Sequence, residues 1–269
     1  MQEKSWLTTV IGIGEKGYRL MHEVQSRMVC ENNDAIIDDK NIELCHYWEL
    51  PLYSDVDEKE LEHNCRDAVI VFLLADVSDE NYIKYAREIG KFVNTQSCAV
   101  SIVLLSGADS LQINNVASQL FPDVDAIVDL NECTVTGEFE PSDRAYNIIR
   151  GLNGLMVKPG LIGLDGVDLT KQLHKTGLLH VGLGNVGTDH DDEAMVTATK
   201  DALSQIKCAN AKRIVLCLEG KAYTLSMIDI CSSTETVEKA MPGAVILVGA
   251  TETKSTGNMV RALIVVSDL

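Results

Sequence analysis

The chain has no apolar run long enough to cross a bilayer. Its longest, AVIVFLLA and GAVILVGA, fall far short of the ~20 residues that a membrane helix needs, so no membrane insertion is expected. The start, MQEKSWLTTV, lacks the basic and apolar regions of a secretion signal, and the end, VVSDL, carries no lipidation motif. The expected location is the cytoplasm. Positive charge is scarce too: 23 Lys and Arg face 40 Asp and Glu, a formal net charge of −17. Nucleic acids and anionic membrane surfaces are bound through basic patches, so neither is an expected partner. None of the eight cysteines forms a CxxC pair. Without a secretion signal they are expected to be reduced, and Cys98 and Cys217 sit in strand-like runs as buried hydrophobes do. Cys45 and His46 with His63 and Cys65 match no common zinc spacing, so no metal is expected. Repeats and low-complexity segments are absent as well.

What the chain does have is alternation. Strand-like and helix-like segments follow one another almost throughout, which argues for an α/β fold. SWLTTVIGI leads into a helix over 16–28. Weaker strands are expected at 35–37 and 42–47, a short acidic helix at 58–64, a strand at 69–74 and a helix at 82–93. Strands at 99–105 and 125–130 flank a helix at 111–120. The clearest helix comes next: Ala145, Ile148, Ile149, Leu152, Leu155 and Met156 line one face, with Pro141 and Ser142 at its start and Pro159-Gly160 at its end. A short helix from Gly166, a strand at 178–183, a helix at 189–206, a strand at 213–218, a helix at 225–240 and strands at 244–249 and 260–266 complete the reading. The expected organisation is a Rossmann-like domain at 1–140, a long central helix at 141–158 and a smaller α/β domain at 159–269.

Four stretches bear on function, and each has a plain structural reading beside the chemical one. GIGEKG carries Gly12, Gly14 and Gly17 directly after a strand. It fits a dinucleotide cradle, with Asp38 and Asp39 downstream as ribose acids; it also fits a tight turn that lets strand and helix pack. VKPGLIGLDGVDL carries Asp165 and Asp168, either an N-cap and a first-turn acid or a carboxylate pair that holds a metal or orients water. HVGLGNVGTDHDDEA offers Gly182, Gly184 and Gly187, but Asp189, Asp191, Asp192 and Glu193 crowd the helix start, which favours capping over anion binding. ADVSDEN places Asp76, Ser78, Asp79 and Glu80 at a strand-to-helix turn, where anions commonly dock. Asp76 and Asp79 read there as helix caps.

These pieces in this order resemble the tubulin/FtsZ family, in particular its FtsZ branch. The likeness is strongest over 147–203, NIIRGLNGLMVKPGLIGLDGVDL and onward, and continues through RIVLCLEG, AVILVGA and MVRALIVVSDL. TTVIGIGEKGYRL resembles the family's first phosphate loop. The resemblance implies an FtsZ/tubulin-like α/β fold. It places Asp165 and Asp168 on the synergy loop, which in FtsZ acts in trans on the GTP of the neighbouring subunit; the preceding Asn of that loop is Gly163 here. It also shows where the chain departs. ADVSDEN stands in place of the glycine-rich GTP signature, so carboxylates replace the backbone that wraps phosphates. Glu15, Lys16 and Tyr18 replace first-loop glycines, and Ser142 stands where the family has its guanine-binding Asn.

The expectation is a degenerate relative: an FtsZ-like scaffold or regulator of cell division or the cytoskeleton that does not bind GTP in the family manner and needs no cofactor. Gly12, Gly14 and Gly17 are then vestigial, and the partners are FtsZ-like subunits, either further copies or a true FtsZ. Ending just after the last family-like strand, the chain is expected to lack the family's linker and tail. The alternatives are a GTP- and Mg-dependent filament protein with a rebuilt pocket, and an NAD-linked oxidoreductase resting on GIGEKG.

Overall fold

The computed structural model describes residues 7–34, 45–50, 56–77, 79–95, 99–107, 110–131, 140–158, 160–188, 193–208, 210–221, 224–253 and 258–269. Its first part alternates strands and helices: β1 (Thr8–Ile13), α1 (Gly14–Asp34), β2 (His46–Glu49), α2 (Glu58–Cys65), β3 (Ile70–Asp76), α3 (Glu80–Thr95), β4 (Val100–Ser106), α4 (Ser110–Leu120) and β5 (Ala126–Asp129). After the central helix α5 (Pro141–Val157) come β6 (Gly160–Ile162), α6 (Gly166–Leu173), β7 (Gly177–Gly187), α7 (Ala194–Ser204), β8 (Arg213–Gly220), α8 (Met227–Ala240), β9 (Val245–Glu252) and β10 (Met259–Ser267). The strands form one sheet in the order β2-β1-β3-β4-β5-β7-β10-β8-β9-β6.

Every residue of β1, β3 and β4 is buried, as in parallel strands covered on both faces. Alternate side chains take opposite faces. Val10, Phe72, Leu74 and Ile102 pack with Met21 and Val24 of α1 and Ile148 and Leu152 of α5. Ile11, Val71, Leu73 and Val103 pack with Ile83, Ala86 and Ile89 of α3. A third core joins α7 and α8 to β8 and β10 through Ala198, Ile230, Leu216 and Ile264. Gly182 and Gly184, candidates for an anion cradle, lie within β7 instead. A Cβ at Gly184 would stand 1.9 Å from the carbonyl oxygen of Ala198, so these glycines let α7 lie close on the strand.

The sequence reading misplaces several elements. The strand expected at 42–47 is β2, four residues from His46, and the one expected at 35–37 lies outside the described residues. The helix expected from 189 runs from Ala194, and Glu193 makes no side-chain cap bond there; Asp189, Asp191 and Asp192 lie outside the described residues. Gly160, read as the end of the central helix, opens β6, which pairs antiparallel with β9. No helix among the described residues is long and apolar enough to cross a membrane.

Candidate functional site

Strand β1 pairs in parallel with β2 on one side and β3 on the other. The chain therefore leaves the carboxyl ends of β1 and β3 in opposite directions, the crevice where open α/β sheets hold ligands. The sheet order brings GIGEKG and ADVSDEN together at this point.

The glycine motif forms no loop. Ile13 ends β1 and Gly14 begins α1 directly. Gly14 has φ +75°, and the ring of Tyr82, in the first turn of α3, lies over it: a Cβ there would stand 2.5 Å from the ring. At Gly17 a Cβ would stand 2.2 Å from the Leu74 carbonyl oxygen, so this glycine lets α1 pack against β3. Gly12 is paired inside β1. Gly14 and Gly17 are thus places of close packing.

The carboxylates divide in role. Asp79 accepts from the backbone N–H of Asn81 at 2.8 Å and caps α3. Asp76, read as a cap beside Asp79, closes β3, which runs two residues past the apolar stretch. It is 4% exposed, and both its oxygens lie 3.4 Å from Lys16 Nζ. Lys16 is one of the residues that replaces a glycine in the resemblance, so the two departures answer one another as an ion pair. Arg19 bonds Glu15 at 2.6 Å. Glu80 is exposed, and Ser78 lies outside the described residues. Beside the pair lies a cleft of about 360 Å³, lined by Lys16, Arg19, Ser106, Gly107, Asn131 and Ser142 among others.

Asp165 and Asp168 lie elsewhere. Asp165 caps α6, accepting from the Val167 N–H at 3.0 Å, and Asp168 is exposed, 4.0 Å from Lys171. A Cβ on Gly166 would stand 2.9 Å from Val69, just before β3, whereas Asp76 closes that strand. At ~3.3 Å per residue the seven residues of β3 separate the two sites by roughly 23 Å along the sheet. The two candidate sites thus lie at opposite ends of β3. Loss of the cap makes Asp165→Ala cost about 1 kcal/mol, to be read from denaturant unfolding.

No family model matches the chain. Two curated proteins are similar to part of it. The mitochondrial division protein fszA of Dictyostelium discoideum is 30% identical over 129 residues, 47% of this chain and 25% of that protein. Cell division protein FtsZ 1 of Archaeoglobus fulgidus is 30% identical over 121 residues, 44% of this chain and 33% of that protein. The match thus spans a quarter to a third of the curated relatives' length. Among solved structures, an empty FtsZ dimer of M. jannaschii superposes with TM-score 0.72 at 18% identity, over 99% of this chain and 89% of that one. A GTPgS-bound protofilament of CetZ2 from Haloferax volcanii gives 0.67 at 13% identity, over 96% and 92%. The chain has the fold of the FtsZ/tubulin family.

In this FtsZ-like fold the central helix is held by charges that the sequence reading missed. Asp143 of α5 pairs with Arg27 of α1. Two guanidiniums lie over the Tyr146 ring, Arg27 at 5.6 Å and Arg150 at 5.8 Å from its centre. On the other side, buried Glu219 of β8 bonds Arg150, Lys158 at 3.1 Å and Arg261 of β10 at 3.9 Å. Burial pushes the Glu219 carboxyl up, but the Arg150 guanidinium foremost, then Lys158 and Arg261, overcome that and hold it at about 2. Tyr82 was missed as well, read only as a helix-spaced residue.

Proposed function

We propose that the chain is a non-enzymatic FtsZ-like scaffold or regulator of a division or cytoskeletal filament, one that does not bind GTP in the family manner. The observation that carries this is that the crevice is satisfied from within: Asp76 already pairs with the cation beside the cleft, and Tyr82 covers the start of α1. The names of the partly similar proteins, a mitochondrial division protein and a cell division protein, support the cellular setting. The solved relatives include a dimer and a protofilament, which supports assembly with FtsZ-like subunits, further copies or a true FtsZ. Asp165 and Asp168, exposed at the far end of the sheet from the crevice, suit a head-to-tail contact in which the lower end of one subunit meets the upper end of the next.

A second reading, a GTP-hydrolysing filament protein with a rebuilt pocket that uses Mg, is favoured by the 360 Å³ cleft with its Lys16, Arg19, Ser106 and Asn131 lining. Thermal unfolding with GTP and magnesium in excess separates the two. Stabilisation follows RT ln(1 + [L]/Kd) and reaches about 2.7 kcal/mol at a hundredfold excess over Kd. The proposed reading expects no shift. A rise of about five degrees or more, with turnover that falls on Asp165→Ala, establishes the second reading.

A further inference from the structure

We propose that the outer edge of β9 is a pairing surface for a second copy of this chain, the two β9 strands running antiparallel across a two-fold axis at Leu247. Strand β9 has β8 on one side and only the short β6 on the other, and β6 pairs with Ala250 and Thr251 alone. The Val245 N–H donates to the Lys212 carbonyl at 2.8 Å. In this parallel register Val245, Leu247 and Gly249 therefore turn their backbone groups to β8, and Ile246 and Val248 turn theirs outward. Among the described residues nothing bonds those outward groups. Exposure agrees: Val245 is 64% exposed, and Ile246, Leu247 and Val248 are only half-buried, apolar though they are. Exposed sheet edges are commonly guarded by Lys or Pro, and residues 245–249, VILVG, hold neither.

Symmetry and charge name the occupant. With the axis at Leu247, Ile246 faces Val248 of the other copy, and each exchanges both backbone hydrogen bonds with it. The edge is thus complementary to itself, as a two-fold contact requires. Residues 240–251 carry no charge in a chain of net charge −17, and neighbouring β6, GLI, carries none either. Two copies approach here without the like-charge cost that a strongly acidic chain meets elsewhere. There is room as well. Each strand leaves the pairing at Gly243, which has φ +85° and nothing within 4 Å of an added Cβ, before it would reach β6 of the other copy. The contact lies along the side of the sheet, away from its strand ends, and does not depend on the reading of the crevice.

Sedimentation velocity of the full chain over a range of concentrations, in chelator at low salt, is expected to show a monomer–dimer equilibrium that stops at the dimer. Val248→Pro removes an outward N–H and leaves the bonds to β8 intact; Val245→Lys places a guarding charge on the exposed end of the edge. Each should weaken the dimer by about tenfold or more, and where Val248→Pro lacks a cooperative unfolding transition, Val245→Lys decides. Cross-linking by diamide tests the register. The axis sets Leu247 opposite its own copy, with Cα atoms about 4.5 Å apart, within disulfide reach. Val245 instead faces Gly249, and its own copy lies roughly 13 Å along the strand. Leu247→Cys should therefore link faster than Val245→Cys, although Val245 is the more exposed, with the unaltered chain and its exposed Cys231 as baseline. A chain that stays monomeric, a dimer indifferent to Val248→Pro and Val245→Lys, or faster linking at Val245→Cys overturns the inference, and each leaves the proposed function standing.

Discussion

Replacing Glu219 with alanine is expected to destabilise the fold by about 3–5 kcal/mol, the range for removing one partner of a buried ion pair. Arg150 has 4% of its side chain exposed, Lys158 14% and Arg261 22%. With the shared carboxylate gone, three cations converge on one small region between α5, β8 and β10. Glu235, which pairs with Lys239 at 3.4 Å but is 65% exposed, is the control: its alanine variant should change stability by no more than about 0.5 kcal/mol. Chemical denaturation of both variants makes the comparison, and equal effects would sink it. The same carboxyl sets an acid limb. Held at about 2 in the fold against an ordinary 4.5, Glu219 binds fewer protons folded than unfolded over that interval. Its contribution, about 3 kcal/mol at neutral pH, is complete above the unfolded value and is lost as pH falls from about 5 to 2. Glu219→Gln should flatten this part of the stability profile. An acid limb unchanged by that substitution would show that the network is not its source.

How this network escaped the sequence reading is instructive. Residues 150, 158, 219 and 261 are scattered over the second half of the chain, and none announces itself. Arg150 is a charged residue beside the apolar stripe of a helix, and Glu219 ends a strand-like run. Only the sheet order, with β8 next to β10 and both against α5, brings them together. What was legible is local. The apolar runs marked β3 and β4, a 3.6-residue period marked α5, and an Asp two residues before a helical N–H marked the caps at Asp79 and Asp165. The place of Asp76 was hidden for the same reason. A strand buried on both faces gives no sign of where it ends once the apolar run stops, so a residue that closes β3 looked like one that opens α3. Its partner lies 60 residues away, and no spacing rule connects them. β6 was invisible because three residues form a strand only when β9 is beside them.

The proposed head-to-tail contact carries the second large expectation. The lower end presents Asp165 and Asp168, exposed and softened only by Lys171. The upper end presents Glu80, exposed, and Glu15, 78% exposed and bonded to Arg19, with Asp79 beside them. Lys16, the cation nearest the crevice, is already engaged by Asp76. Like charges therefore meet in a stack of identical copies, and like-charge juxtaposition suppresses association. Purified chain in chelator is expected to sediment as monomers or short oligomers, and to lengthen when magnesium is added and screens both ends. Asp165→Asn/Asp168→Asn should tighten self-association by about tenfold at low salt, and Glu15→Gln/Glu80→Gln should do the same from the other side. Both gains should shrink as the Debye length falls to about 8 Å at physiological ionic strength. Copies that form long filaments in chelator, and do so equally well with either pair neutralised, would show that these ends do not meet or that their charge does not govern the contact. On the proposed reading, in which the partner is a true FtsZ, the same repulsion makes that partner the better-matched neighbour for the Asp165 end. Mixed sedimentation at fixed total protein then gives a direct comparison: incorporation into FtsZ filaments should exceed self-assembly, and the Asp165→Asn/Asp168→Asn variant should narrow the difference.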